Sequence, residues 1–540
     1  MILNLSWLLR ARLVTTTSSL ALFAVTACGD AGMDLYEPEY VSDTTSYPYS
    51  DASTTNDFYP PPEKELVIQS PEAGKDFVFV ASTELDSVAK INARTLEIQS
   101  VGVGDRPTQV RTRPTINTAA VLNLGSSDVT IIHASLDADD VIARVKIDRH
   151  LNTMVMSPTG QHVVIYFDEK VAEDGDTPGS FQLINVVRTV AGREIMASLP
   201  VDFHVRDVQF DESGNHAYIV TDDTLRVIDL DAVCDDPSSY DPADRTSLID
   251  DAIAVPDDRE VAITSDGRFA VVRSRTFAGL IMLRIGTTQR KTVELSAPPT
   301  DLDLRPDGSG ALAVIRDTSE LVLIGLPETF DDPTAIRVIQ APDTIPIGQA
   351  QLTADSCFAI VFSTAVPSAT IGRLDMCSEE LLTHRLGSGK LITGATLSPT
   401  GNWIFIAHEA ELQSPDPVAK LNGFTLLQFD SDANEHRPFD KLFQTDAGTS
   451  GVVFTADDAH IFALVHDDAD TVRQSVHVVL DSLYSSVEDL GSPPVLIGAL
   501  PAADRVYIAQ EHPVGRISFI DVLTGRIQTV TGFELNSRIK

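Results

Sequence analysis

The chain has 540 residues, 43% of them hydrophobic, with 78 acidic against 40 basic side chains and a formal charge of −38. That is apolar enough for a large core, so the acids belong on loops around it and wholesale disorder is excluded. A charge of this sign repels nucleic-acid phosphates and anionic headgroups, which argues against nucleic-acid binding.

In chain order, residues 1–27 read as a signal peptide. Arg10 and Arg12 lead into an apolar run from Leu13 to Ala24, and Val25, Thr26, Ala27 and Cys28 close it. The segment resembles a bacterial lipoprotein signal, in which the cysteine after a small residue is lipidated and becomes the new N-terminus. The resemblance makes Cys28 the lipidation site, with an ordinary secretory signal as the alternative. Thr15, Thr16, Thr17, Ser18 and Ser19 interrupt the run, which falls short of the roughly 20 apolar residues of a membrane span. A retained transmembrane helix is therefore disfavoured. Residues 28–64 read as a disordered acidic tether: between Gly29 and Glu63 stand eight acids, no lysine or arginine, and prolines at 38, 48, 60, 61 and 62. About 35 such residues reach roughly 30–35 Å. Tyr36, Tyr40, Tyr47, Tyr49, Phe58 and Tyr59 offer a second reading, a sticker segment for a partner.

From 65 to 540 one unit recurs ten times, starting near residues 66, 109, 154, 208, 261, 302, 350, 396, 452 and 496. Each is an apolar strand, a tight polar turn and a second apolar strand, as in "MVMSPTGQHVVIYF" at Met154 and "TLSPTGNWIFIAH" at Thr396. The segments are short, rich in Val and Ile, and bounded by Asp, Gly and Pro, which excludes a helical solenoid. Two more strands follow in each copy, as in "RISFIDVLTGRIQTV" at Arg516. Four strands per repeat predict an all-β fold, a β-propeller of four-stranded blades. Ten repeats exceed the usual four to eight blades. One large ring is favoured, with a smaller ring plus extra blades, or two rings, as alternatives. Gly160, Gly214, Gly267, Gly308 and Gly401 are placed to take the left-handed conformation of the turn, and Asp458 or Asn117 to replace glycine in other copies.

The succession of "SPTG" or "SDGR", "AYIV", "LRVIDL" and "VGVGDRPTQV" resembles the YVTN-type propeller repeats, which grade into lactonase-like propellers. The likeness covers essentially all of 65–540. It implies a propeller, and it leaves both a binding scaffold and a lactonase-like hydrolase open as functions.

With the strands of a blade lettered a to d from the channel outward, d–a and b–c loops share one face and a–b and c–d turns the other. Arg106, Arg206, Arg259 and Gln349 fall just before or at the innermost strands, and are the candidate ligand-binding residues of the first face. Arginine forks suit carboxylate or phosphate. Pairing of Arg206 with Asp207 and Arg259 with Glu260 is the structural alternative. The b–c loops add Glu84, Asp168, Asp222, Asp317, Glu409, Asp467 and Glu511, but the other face is also acidic, at Asp211, Asp266, Asp307 and Asp457. His408-Glu409, His466-Asp467 and Glu511-His512 recur at one repeat position. Equivalent loops diverge, whereas zinc ligands lie about 2 Å from one ion, so no metal site is assigned. "DSDANE" at 430 lacks the glycine and the closing glutamate of a calcium loop. "GSGK" at 387 lacks the earlier glycine of a phosphate loop and reads as a rim turn. No catalytic residues and no cofactor are assigned.

Cys357 begins strand b of its blade and Cys377 follows strand c, which puts both at one end of a hairpin. Export would place them in an oxidising compartment. A disulfide between them is expected, with Cys234 unpaired, over two free thiols. The functional expectation is a monomeric, noncatalytic binding or scaffold propeller in the bacterial cell envelope, held to the membrane by its lipid, periplasmic or surface-exposed with the outer membrane favoured. Its partner would be an envelope protein or a small anionic ligand, and a lactonase-like hydrolase is the alternative.

Overall fold

A strand with apolar residues on both faces needs a neighbour on each side, and that need sets the architecture. The computed structural model describes residues 72–533 apart from 84, 173–181, 430–437 and 513. The signal peptide, Cys28, the tether, Glu84, the innermost strand expected near 66 and the run at 430 lie outside the described residues. Within them are ten antiparallel sheets in chain order, nine of four strands and the first of three. In blade 2 the strands are a (Pro107–Arg111), b (Thr118–Asn123), c (Asp128–His133) and d (Val141–Lys146). The three strands of blade 1, Phe77–Ser82, Ser87–Asn92 and Ile98–Gly102, match b, c and d.

Successive side chains of a strand point to opposite faces. In strand b of blade 2, Ala119 and Val121 pack toward blade 1 while Ala120 and Leu122 pack toward blade 3. The same division recurs around the molecule. Ten clusters of buried residues each join two consecutive blades, and one of them joins blade 10 (Leu500, Tyr507, Ile517, Phe519) to blade 1 (Val78, Ala89, Ile91). The ten blades therefore close a single ring, a ten-bladed β-propeller. Two rings, or a smaller ring with extra blades, would leave the 10–1 boundary unpacked. The Arg94 guanidinium reaches the Ala502 carbonyl across the same boundary.

The free inner edge of strand a is partly satisfied by the preceding blade. Gln109 accepts from Met154 N (2.9 Å) and donates to Asn152 O (3.2 Å). Gln209 treats Ile263 N and Val261 O in the same way, and Gln351 accepts from Leu397 N at 2.7 Å. Buried backbone groups must be paired, and these side chains replace the missing fifth strand.

The a–b turns repeat one geometry. The amide of the fourth residue donates to the carbonyl of the first, as Gly160 to Ser157, Gly267 to Thr264 and Gly401 to Ser398, and the fourth residue is left-handed. Asp458 takes this conformation (φ 54°), as does Ser356 (φ 62°). Asn117 does not. It accepts from Asp76 N (2.9 Å) and donates to Asp76 Oδ2 (2.8 Å), tying blade 2 to blade 1. The acids of this face cap their own turns: Asp211 Oδ1 accepts from Asn215 N, Asp266 Oδ1 from Arg268 N and Asp457 Oδ1 from Ala459 N.

Gly267 also meets its neighbour, since a Cβ there would lie 1.7 Å from Tyr218 Oη of the previous blade. Gly192 is equally left-handed (φ +74°) but has nothing within 4 Å. Gly192→Ala should cost only the backbone strain, about 1–2 kcal/mol. Gly267→Ala adds an overpacked boundary and should cost roughly 1–3 kcal/mol more. Urea unfolding of both variants measures the difference, and equal losses would refute a packed turn–turn boundary.

Candidate functional site

The d–a and b–c loops on the first face separate the expected arginine cluster into different settings. Arg206 and Arg259, at the starts of the a strands Val205–Phe210 and Arg259–Ile263, converge on the b–c loop of blade 4. Arg206 Nε lies 2.5 Å from Asp222 Oδ1 and its Nη1 2.7 Å from Asp257 Oδ1. Arg259 donates to Leu248 O at 3.1 Å and to the Asp222 carbonyl. Asp207 and Glu260 are not their partners, and Glu260 holds Arg273 at 2.6 Å. His204 completes the knot, 3.0 Å from Asp222 and 2.8 Å from Glu169. The cavity beside it, lined by Phe167, Gln182, His204 and Arg206 among others, is about 40 Å³. Small-molecule sites run about 300–1,000 Å³, so this one is closed to a ligand.

Arg106 and Gln349 stand apart from that pair. Arg106 is left-handed (φ 53°), and its amide donates to Asp86 Oδ1 of blade 1 at 2.9 Å. Gln349 is buried and donates to Thr364 Oγ1 at 3.2 Å.

A ligand-sized space on this face lies elsewhere, a groove of about 520 Å³ across blades 6, 7 and 8. Its walls come from the loop holding Asp343 and Thr344, the b–c loop of blade 7 from Val366 to Thr370, and Arg385, Gly389 and Leu391. Arg385 ends strand d of blade 7 (Glu380–Arg385) and is exposed. Among the described residues its guanidinium has no hydrogen-bond or ion-pair partner, and neither has the Asp343 carboxylate. Arg385 stands before its d–a loop, unlike Arg106, Arg206 and Arg259, which stand at the end of theirs, so repeat position in the sequence does not mark it.

Two buried groups fix the blade-8 wall. Lys390, of the "GSGK" turn, is 1% exposed and its ammonium donates to the carbonyls of Leu421 (2.6 Å), Ala419 (3.1 Å) and Glu409 (3.3 Å). This cage staples the b–c loop of blade 8 to the d–a loop, and burial pulls the Lys390 pKa down. His408, at the end of strand b (Ile404–His408), lies 2.7 Å from Leu391 O through Nδ1 and 2.7 Å from Thr425 Oγ1 through Nε2. Nδ1 therefore carries the proton to the carbonyl, and Nε2 accepts from the hydroxyl.

Both His408 nitrogens are consumed. In the two equivalent loops, His466 Nε2 lies 2.7 Å from Asp470, and His512 Nδ1 accepts from Val514 N at 3.3 Å. Among the described residues no three His, Cys, Asp or Glu side chains converge as a metal site would require. On the opposite face Cys357 and Cys377 stand side by side as thiols, while Cys234 is buried in the helix Leu230–Asp235.

No protein-family model matches the chain, and no curated protein sequence does. Among solved structures, the chain is similar to that of a eukaryotic initiation factor, at 13% identity over 77% of this chain and 96% of that one, with a TM-score of 0.52. The dihydro-heme d1 dehydrogenase NirN gives 10% identity over 68% and 79% with a TM-score of 0.39. The β-propeller domain of Myceliophteria thermophila Cps50 (Swd1) gives 14% over 61% and 97% with a TM-score of 0.33. At this identity the first likeness speaks to the fold alone, and the other two are too distant to add to it.

Burial brings the His408 pKa down from 6.5 to about 4. As pH falls below about 6.5 the unfolded chain takes up this proton first, so stability present at neutral pH is lost between about pH 6.5 and 4. The loss amounts to ~3 kcal/mol. His408→Gln cannot protonate, and its unfolding free energy should fall by that much less than wild type between pH 7 and 4. Parallel pH profiles would show that His408 is not held neutral.

Proposed function

We propose that this propeller is a noncatalytic binding module of the bacterial envelope, which holds a carboxylate-bearing peptide segment of a partner protein in the groove across blades 6, 7 and 8. The observation that carries the reading is Arg385, an arginine without a partner among the described residues, lining a ligand-sized groove in a chain of net charge −38. An arginine fork takes a carboxylate through two parallel hydrogen bonds. Asp343, without a partner among the described residues, would repel a bare anion but accept from an ammonium or amide. A peptide supplies both kinds of group. The anchor, the tether and the absence of a catalytic motif in the sequence favour a scaffold, and the runner-up is a lactonase-like hydrolase.

The test is peptide selection on the immobilised mature protein with a random library displayed on phage. Wild type should enrich peptides bearing Glu, Asp or a free C-terminal carboxylate. Arg385→Gln should bind the selected peptides about 10–100-fold more weakly, the worth of a hydrogen bond to a charged group. Unchanged affinity would remove the groove. Turnover of a lactone panel by the same preparation would favour the hydrolase.

The anchor belongs to the same reading. Three acyl chains on Cys28 would hold firmly where one binds only marginally, and the tether would carry the ring clear of the membrane. Cys28→Ser should move the protein from the membrane pellet to the soluble fraction on cell fractionation. Quantitative retention in the pellet would count against lipidation.

A further inference from the structure

The a–b and c–d face carries chemistry that the groove does not use. Strands b and c of blade 7 run Phe358–Phe362 and Thr370–Asp375, with Phe358 opposite Asp375. The ladder continues one step beyond, where Met376 N donates to Cys357 O at 2.9 Å. Cys377 is the next residue, so both cysteines stand at the same end of the hairpin, one step apart across it. Each cysteine is held by an aspartate two residues before it: Asp355 Oδ1 accepts from Cys357 N (3.0 Å) and Asp375 Oδ1 from Cys377 N (2.8 Å). Cys357 Sγ lies 3.5 Å from the Asp355 carbonyl, and Cys377 is near enough to disfavour the Cys357 thiolate. Cys377 is exposed, Cys357 half-buried. Arg305 of blade 6 donates from Nη2 to the Met376 carbonyl, beside Cys377 in sequence, at 3.4 Å.

We propose that Cys357 and Cys377 are a thiol–disulfide exchange site, in which Cys377 meets a small disulfide oxidant of the glutathione class and Cys357 resolves the product. The Cys377 thiolate attacks one sulfur of oxidised glutathione, forming a mixed disulfide and expelling one glutathione thiolate. The Cys357 thiolate then attacks Cys377 Sγ, forming the Cys357–Cys377 bond and expelling the second. The protein gives up two electrons and two protons, and one oxidised glutathione becomes two reduced molecules. The division of labour follows exposure. The outer thiol is within reach of the oxidant, whereas the inner one has burial, Asp355 and Cys377 all disfavouring its thiolate and makes the poorer first nucleophile. Cys234 takes no part: it is 1% exposed and packed in the boundary of blades 3 and 4, with its thiol pushed up to about 11 by burial.

The site is read from its own register and does not depend on the groove or on Cys28. The experiment equilibrates the folded protein anaerobically with defined ratios of reduced to oxidised glutathione, traps it with acid and N-ethylmaleimide, and maps peptides without reduction. The Cys357–Cys377 crosslinked peptide should rise with oxidised glutathione, while Cys234 is alkylated only after denaturation. Cys357→Ser should accumulate the Cys377–glutathione mixed disulfide about tenfold or more above wild type, because nothing resolves it. Two alkylated thiols in wild type at every ratio would overturn the proposal. So would a mixed disulfide that persists equally in wild type and Cys357→Ser.

Discussion

The structure depends on one requirement, that the middle strands of every blade are apolar on both faces. No blade can cover itself, so each boundary must be buried by the next blade, and an array with free ends would expose two such faces. At the 10–1 boundary the exposed set would include Val78, Ile91, Leu500, Tyr507, Ile517, Phe519 and Phe533. Burial of large apolar side chains contributes about 1.5–3 kcal/mol each, against a net stability of about 5–15 kcal/mol for a typical folded chain. Closing the ring is therefore a condition of its stability. Among the described residues blade 10 carries all four of its own strands, so closure there is face-to-face packing between blades.

Closure leaves two faces with different freedom. The a–b turns meet those of adjacent blades: Glu212 N donates to Ser265 O of the next turn at 2.9 Å, and Ser398 Oγ reaches Asp458 Oδ2 at 2.5 Å. Their acids cap backbone amides, and little room is left for variation. The d–a and b–c loops touch one another at individual points, as where Thr300 Oγ1 donates to Gly348 O at 2.8 Å, and each is stapled in its own way. The charge knot of Arg206, Asp222, Asp257 and His204 shuts the space over blades 3 to 5. Over blades 6 to 8 the staples are buried instead, Lys390 in its cage of carbonyls and His408 on Leu391. Those groups lie behind the wall, and the charges in front of it, Arg385 and Asp343, line the groove without partners among the described residues.

Sequence and structure agree where the requirement is local. Strand alternation, the punctuation by Gly, Pro and Asp, and the left-handed position of Gly160, Gly267 and Asp458 are all decided within a few residues of the position concerned. Asn117, a turn residue by its local sequence, is instead committed to Asp76, 41 positions away. Asp207 and Glu260, the adjacent acids that offered the alternative pairing, hold neither arginine: Arg206 is taken by Asp222 and Asp257, and Arg259 by the carbonyls of Asp222 and Leu248.

The amino-acid sequence by itself determined that this chain is a β-propeller of ten repeats, because a blade is specified by short-range periodicity and by the backbone conformations its turns demand. It marked Cys357 and Cys377 as neighbours, since a single hairpin relates them. Only the tertiary structure decided that the ten blades form one ring, which of the candidate arginines are consumed within it, and where a ligand-sized groove opens. Those outcomes rest on contacts between residues tens to hundreds of positions apart, where ring geometry chooses among many acids and carbonyls that look alike in sequence.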